Sequence, residues 1–459
     1  MARGPQRDFT RGSIPRHILL FTLPMLAGNL LQMLYSVVDS IWVGQVIGAS
    51  ALGAVSVSMP LIFALVSLVF GLTMATTTLV SQYRGAGDEE KVRLTIGTSL
   101  ILMSAGGLLA SLAGYLFRYP LLRLIATPAE ILHDAAAYLG IFMAGIGGLF
   151  LYNALGSILR GLGDAQTPLK ALALSTVLNI VLDGVFILGV GPIPQMGVAG
   201  VALATIISQG VSAVWLIRWI LRKTDLIRLE RTYWRVDGAL ARQIFRIGLP
   251  AGVQQVLVSF GMVTVSALIN QFGPDVVAAA GAAQRLDQAA FLPAMSMGLA
   301  ISSVVGQNLG AGKLDRARAA VLWGSGIAAS ITALVTLVAV TRPTILMVLF
   351  TTDEAVLTEG SRYLRIIGWS YIPTALLFII GGMLRGAGDT MATMVLTLVT
   401  LWGIRVPLAY LLARSMGVTG IWTAILISFS VGMVLHWGYY LSGRWRRKVV
   451  AGPVAPAAD

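Results

Sequence analysis

Long apolar stretches, parted by short polar or glycine- and proline-rich breaks, run along this chain from end to end. About 20 consecutive apolar residues suffice to cross a bilayer core, and twelve stretches are long enough. They fall at roughly 17–40, 52–81, 93–117, 134–159, 169–190, 196–221, 243–271, 277–307, 318–341, 359–384, 391–413 and 417–442. Glycines and prolines inside them suit membrane helices, where neighbouring helices satisfy the freed backbone groups. The pattern predicts an all-α, polytopic membrane protein.

The polar breaks repeat in order at an offset of about 225 residues. Leu23-Pro24 returns as Leu249-Pro250, and Gln82 with Gly85-Ala86-Gly87 returns as Gln307 with Gly310-Ala311-Gly312. Leu159-Arg160-Gly161 with Gly163-Asp164 returns as Leu384-Arg385-Gly386 with Gly388-Asp389, and Tyr138-Leu139 as Tyr363-Leu364. An ordered series at one offset means a duplicated unit of six spans. An even number of spans makes the copies parallel, so two six-helix bundles with pseudo-two-fold symmetry about the membrane normal are expected. The expected division is an N-terminal bundle at 1–221, an arginine-rich cytoplasmic linker at 222–242 and a C-terminal bundle with a basic tail at 243–459.

Composition agrees with this pattern. Hydrophobic residues make up 56% of the 459 positions and charged residues only 12%, whereas soluble domains carry about 25% charged residues. The net charge of +13 would suggest nucleic acid in a soluble protein. Here the basic residues mark helix ends, so no nucleic-acid partner is expected. Placing the N-terminus inside puts Arg3, Arg7, Arg11, Arg16, Arg84, Lys91, Arg93, the stretch Arg218 to Arg246, Lys313, Arg316, Arg318 and the tail Arg444 to Lys448 on the cytoplasmic side. The other face holds only Arg118, Arg123, Arg342, Arg362, Arg365 and Arg414. Both termini are therefore expected in the cytoplasm of a bacterial-type cell, with the chain in its inner membrane. With no cysteine and three scattered histidines, neither a thiolate nor a histidine metal centre is expected.

A charge near the bilayer centre costs about 2.5–3.5 kcal/mol, so charges that persist inside spans are functional candidates. These are Asp39, Asp183, Arg285, Asp287 and Arg405. Gln32, Tyr35 and Asp39 share a face of the first span, and Asn179 and Asp183 a face of the fifth. Asn153 in the fourth and Thr205 in the sixth are placed to face the same interior. Such a cluster suits two kinds of work: a buried carboxyl pair can hold a proton, or ionised carboxylates with amide and hydroxyl oxygens can ligate sodium. In the sodium case the ligands would be Asp39, Asp183, Asn179 and Thr205. The seventh span carries no carboxylate, which assigns ion coupling to the N-terminal half. Arg285 and Asp287 form a candidate polar pair in the cavity wall, Arg160 and Arg385 read as topology anchors, and Arg405 has no assignable role. No catalytic or nucleotide-binding motif is present, so an enzyme is not expected.

Leu23-Pro24 with Asn29, Gln32, Tyr35, Asp39 and Gly44 resembles the first helix of the multidrug and toxic compound extrusion (MATE) family. The Gln82-x-x-Gly-Ala-Gly and Arg160-Gly-x-Gly-Asp segments and their second copies are similar to that family's repeated loops. The resemblance covers essentially the whole chain. It implies export of amphipathic, cationic organic compounds in exchange for protons or sodium, with no cofactor beyond the coupling ion. It further implies a coupling site at Gln32, Tyr35, Asp39, Asn153, Asn179, Asp183 and Thr205, and a helix hinge at Pro24. The expected partners are small-molecule substrates and the lipid bilayer, with the chain a monomer. The alternative is a lipid or lipid-linked-precursor flippase of the same superfamily fold. An intramembrane enzyme would need a turnover product, and a channel would pass ions without exchanging a substrate.

Overall fold

A computed structural model describes residues 6–223 and 231–451. Arg3, residues 224–230 of the expected linker and residues 452–459 of the tail lie outside the described residues. Among those described there are helices and turns and no strand, as a chain surrounded by lipid must satisfy its backbone groups within each segment. Twelve helices are long and apolar enough to cross a membrane. In the first half they are α1 (Ile14–Gly44), α2 (Gly53–Ala86), α3 (Glu89–Leu116), α4 (Ala129–Gly161), α5 (Gln166–Leu188) and α6 (Gly197–Arg222). The second half supplies α7 (Gly238–Phe272), α8 (Pro274–Gly310), α9 (Leu314–Thr341), α10 (Glu354–Gly386), α11 (Thr390–Met416) and α12 (Val418–Leu441).

The helices form two compact units. In the first, α4 packs against α2, α3 and α6, and α5 lies on α6. In the second, α10 occupies the position of α4, packing on α8, α9 and α12. The repeated loops fold alike. Gly163 and Gly388 both have φ of +86°, a left-handed conformation that costs an L side chain roughly 1–2 kcal/mol. Each is followed by an aspartate that caps the next helix: Asp164 Oδ1 accepts the amides of Gln166 (3.0 Å) and Thr167 (2.9 Å), and Asp389 Oδ1 that of Ala392 (3.4 Å).

Neither boundary between the units falls in residues 222–242. Residues Asp8–Thr22 belong to the second unit and Leu23–Leu249 to the first, so both boundaries fall inside α1 and α7, beside Pro24 and Pro250. Hydrogen bonds explain the assignment. Phe9 N donates to Gln307 Oε1 (3.0 Å), Asn308 Nδ2 and Arg316 Nη2 donate to Phe9 O, and Lys313 Nζ donates to Thr10 O (3.0 Å). Within the first unit, Asp237 N donates to Thr98 Oγ1 (3.1 Å) and Tyr83 Oη to Gln243 Oε1 (3.2 Å). A proline inside a helix removes one backbone bond and clashes with the preceding turn, so each boundary falls where its helix is weakest.

Candidate functional site

α1 buries little of itself: 28% of the residues in its most apolar window are buried, against 50% for α4. Its C-terminal half carries a polar face. Tyr35 and Asp39 stand one turn apart on that face, with Tyr35 buried and Asp39 half-buried. Immediately beyond, the helix widens into a π-helical segment at Trp42–Ile47, a distortion frequent at functional sites. On α5, Asn179 and Asp183 are also one turn apart, and both are fully buried.

These residues form one network with Thr205 of α6. The Tyr35 hydroxyl donates toward Thr205 Oγ1 (3.2 Å), and the Thr205 hydroxyl donates to Val201 O (3.0 Å). With its nitrogen turned to the carboxyl groups, the Asn179 amide donates to Asp39 Oδ1 (3.0 Å) and Asp183 Oδ2 (3.1 Å). The Asn179 oxygen then faces the Tyr35 hydroxyl at 3.3 Å. The one Asn179 amide thus bridges the carboxyl groups of α1 and α5. Asp183 Oδ1 is buried without any hydrogen-bond partner.

Two of the expected residues stay outside the network. Gln32 is exposed; seven residues before Asp39, it sits about 10 Å along the axis at 1.5 Å per residue, on the same face but too far along. Asn153 Nδ2 donates to Leu149 O (2.9 Å) on its own helix, the local bond open to a short polar side chain. One residue is added. Tyr138 of α4 is buried and within electrostatic reach of both Asp39 and Asp183. Its signal was its place in the repeat, since Tyr138-Leu139 recurs as Tyr363-Leu364.

The second unit uses that repeat position too. Asp287 of α8 is buried, and its carboxylate accepts from Tyr363 Oη (2.5 Å) and Tyr371 Oη (2.7 Å) of α10. A short 3-10 turn at Gly368–Ser370 breaks α10 between the two tyrosines, just before Pro373, which has no N–H to continue the ladder. Gly368 O at the break accepts from Thr336 Oγ1 (3.0 Å) of α9. The expected pairing of Arg285 with Asp287 is not formed. Arg285 is exposed while Asp287 is buried, because residues two apart on a helix do not face each other. No group of three or more His, Cys, Asp or Glu side chains able to hold a metal occurs among the described residues.

The MatE family model matches residues 24–185 and 250–411, once in each half. A relative from Bacillus subtilis (strain 168), described as the probable multidrug resistance protein YpnP, is 34% identical over 96% of this chain and 97% of its own. Two solved structures are similar at 26% identity. A MATE crystal structure in a bent conformation has a TM-score of 0.89, and one in a straight conformation 0.88. Each covers 96% of this chain and 98% of the solved one.

Proposed function

The chain belongs to the MatE family and is a membrane transporter rather than an enzyme; on that premise we propose that it is a secondary antiporter exporting amphipathic, cationic organic compounds in exchange for protons. The observation that carries this reading is the pair of carboxyl groups, Asp39 and Asp183, brought together on the Asn179 amide. Two adjacent carboxylates away from water each carry a desolvation cost of several kcal/mol, and one shared proton removes one of those charges. Uptake of a proton is then a change of charge near the C-terminal end of α1, and its loss restores repulsion between α1 and α5.

A hard cation needs a shell of oxygens. With the Asn179 nitrogen turned to the two carboxyl groups, a sodium ion there would require the amide to turn and give up two hydrogen bonds. Thr205 Oγ1 remains as the hydroxyl oxygen beside Tyr35.

The charge change acts on the helix best able to respond. α1 is sparsely buried, bears Pro24 in its interior and divides between the two units next to that proline. Few buried contacts make local rearrangement cheap. Bending at Pro24 on protonation would alter the space beside α1 available to a drug, so that ion and drug exclude one another in turn. The description of the Bacillus relative as a probable multidrug resistance protein supports the substrate class. The distribution of lysine and arginine supports cytoplasmic termini in an inner membrane.

The test is efflux of a fluorescent cationic dye from proteoliposomes under a proton gradient and, separately, a sodium gradient. Wild-type protein should drive efflux with the proton gradient, and Asp39→Asn and Asp183→Asn should each abolish it while remaining folded. Efflux untouched by either substitution would refute the coupling site, and efflux driven only by sodium would refute the proton.

A further inference from the structure

Arg405 lies inside α11, in a π-helical segment at Val399–Arg405. A cation at that depth ordinarily survives by pairing with a carboxylate. Arg405 makes no ion pair among the described residues. Asp287, the buried carboxylate of the same unit, is already held through both oxygens by Tyr363 and Tyr371.

The protein nevertheless holds the guanidinium in place. Arg405 Nε donates to Ser428 Oγ (2.7 Å) of α12, and its central carbon sits 4.1 Å from the centre of the Phe429 ring. Stacking on an aromatic face fixes the plane of the fork. Only Nε among the five N–H donors of a guanidinium is used. Nη1 and Nη2 have no protein acceptor and are not sealed from the surface, since Arg405 is half-buried and neither atom is among the buried unsatisfied ones. An aromatic series joins the ring under this fork to its neighbours: Phe429 to Phe291 (6.1 Å between ring centres) and Phe291 to Tyr371 (5.4 Å). Phe429 and Phe291 are themselves half-buried.

We propose that Arg405, backed by Phe429 and Phe291, is a recognition site for an anionic group, carboxylate or phosphate, carried on an aromatic amphiphile. The outward Nη1 and Nη2 are the bidentate edge that such a group accepts from, and the rings offer it an apolar wall. This deepens the export reading by narrowing its substrate class to aromatic compounds that carry an acidic group beside a delocalised cation. Binding itself does not rest on that reading, because it needs no gradient.

The probe is a matched pair, rhodamine 110, which carries a free carboxylate, and its methyl ester rhodamine 123. Their affinities for the full-length protein in detergent are measured by fluorescence anisotropy. Wild-type protein should bind the free acid about tenfold to a hundredfold more tightly than the ester, the span of a charged hydrogen-bonded pair. Arg405→Gln should erase that preference and leave ester binding unchanged, and Arg405→Lys should keep part of it. Equal affinity of wild-type protein for the two dyes would overturn the proposal without reference to any variant. So would an equal loss of both dyes in Arg405→Gln. Displacement of the acid by short-chain phosphatidylglycerol but not phosphatidylcholine would assign the phosphate of a lipid headgroup to the same fork, and no displacement by either would assign free aromatic acids. Tight acid binding with no gradient-driven efflux would leave this site standing and refute the antiporter.

Discussion

Asp183→Asn separates the chemistry of the carboxyl pair from its role in holding the fold. In the wild type, the Asn179 amide bridges Asp183 Oδ2 at 3.1 Å and Asp39 Oδ1 at 3.0 Å. Asparagine has the same shape, keeps an oxygen for Asn179 and places no charge beside Asp39. The variant is therefore a permanent copy of the singly protonated pair, and its stability should change by about 1 kcal/mol or less, the net worth of one exchanged hydrogen bond. Asp183→Ala removes the acceptor. It strands one Asn179 N–H in a buried site, so it should lose roughly 1–3 kcal/mol. Stability is read from denaturant titration of the purified protein and function from proton-driven dye efflux in proteoliposomes. The asparagine variant should bind dye like wild type and show no efflux above protein-free liposomes. Wild-type efflux from Asp183→Asn would refute the proton-exchange argument. Equal stability of the asparagine and alanine variants would refute the hydrogen-bond network.

Pro24→Ala restores an N–H inside α1 and removes a break worth about 3 kcal/mol in a helix interior; it should stabilise a straight α1 and suppress efflux without weakening dye binding, and spin-label distances along α1 would report the lost bend. Tyr363→Phe leaves one oxygen of the buried Asp287 without its phenol donor and should destabilise by about 1–3 kcal/mol; the loss should be non-additive with Tyr371→Phe in a double-mutant cycle, because both act on one carboxylate. Gly163→Ala places a Cβ 2.4 Å from Arg7 O at a φ of +86°; it should cost at least about 1–2 kcal/mol, seen as a lower melting temperature in detergent.

Much of this architecture is determined by residues close together in the chain. Helix length and apolar composition are local, so the twelve spans can be read directly and recur in the structure. The 3.6-residue period is local too, and it pairs Tyr35 with Asp39 and Asn179 with Asp183 before any packing is known. The ordered repeat predicts two six-span units and also marks Tyr138 and Tyr363, each of which proves to lie beside a buried aspartate.

What tertiary structure decided is which faces meet, and at what height. Gln32 shares the face of Asp39 but not its level, and Asn153 turns to its own backbone. Arg285 and Asp287 part because two residues along a helix is more than half a turn. Asp287 gains two phenol donors from the two sides of a break in α10. Residues 8–22 join the second unit through bonds to Gln307, Asn308, Lys313 and Arg316, nearly 300 residues away in the chain. Axial offset and rotation between helices arise from side-chain packing across the whole bundle, and no short stretch of sequence carries that information.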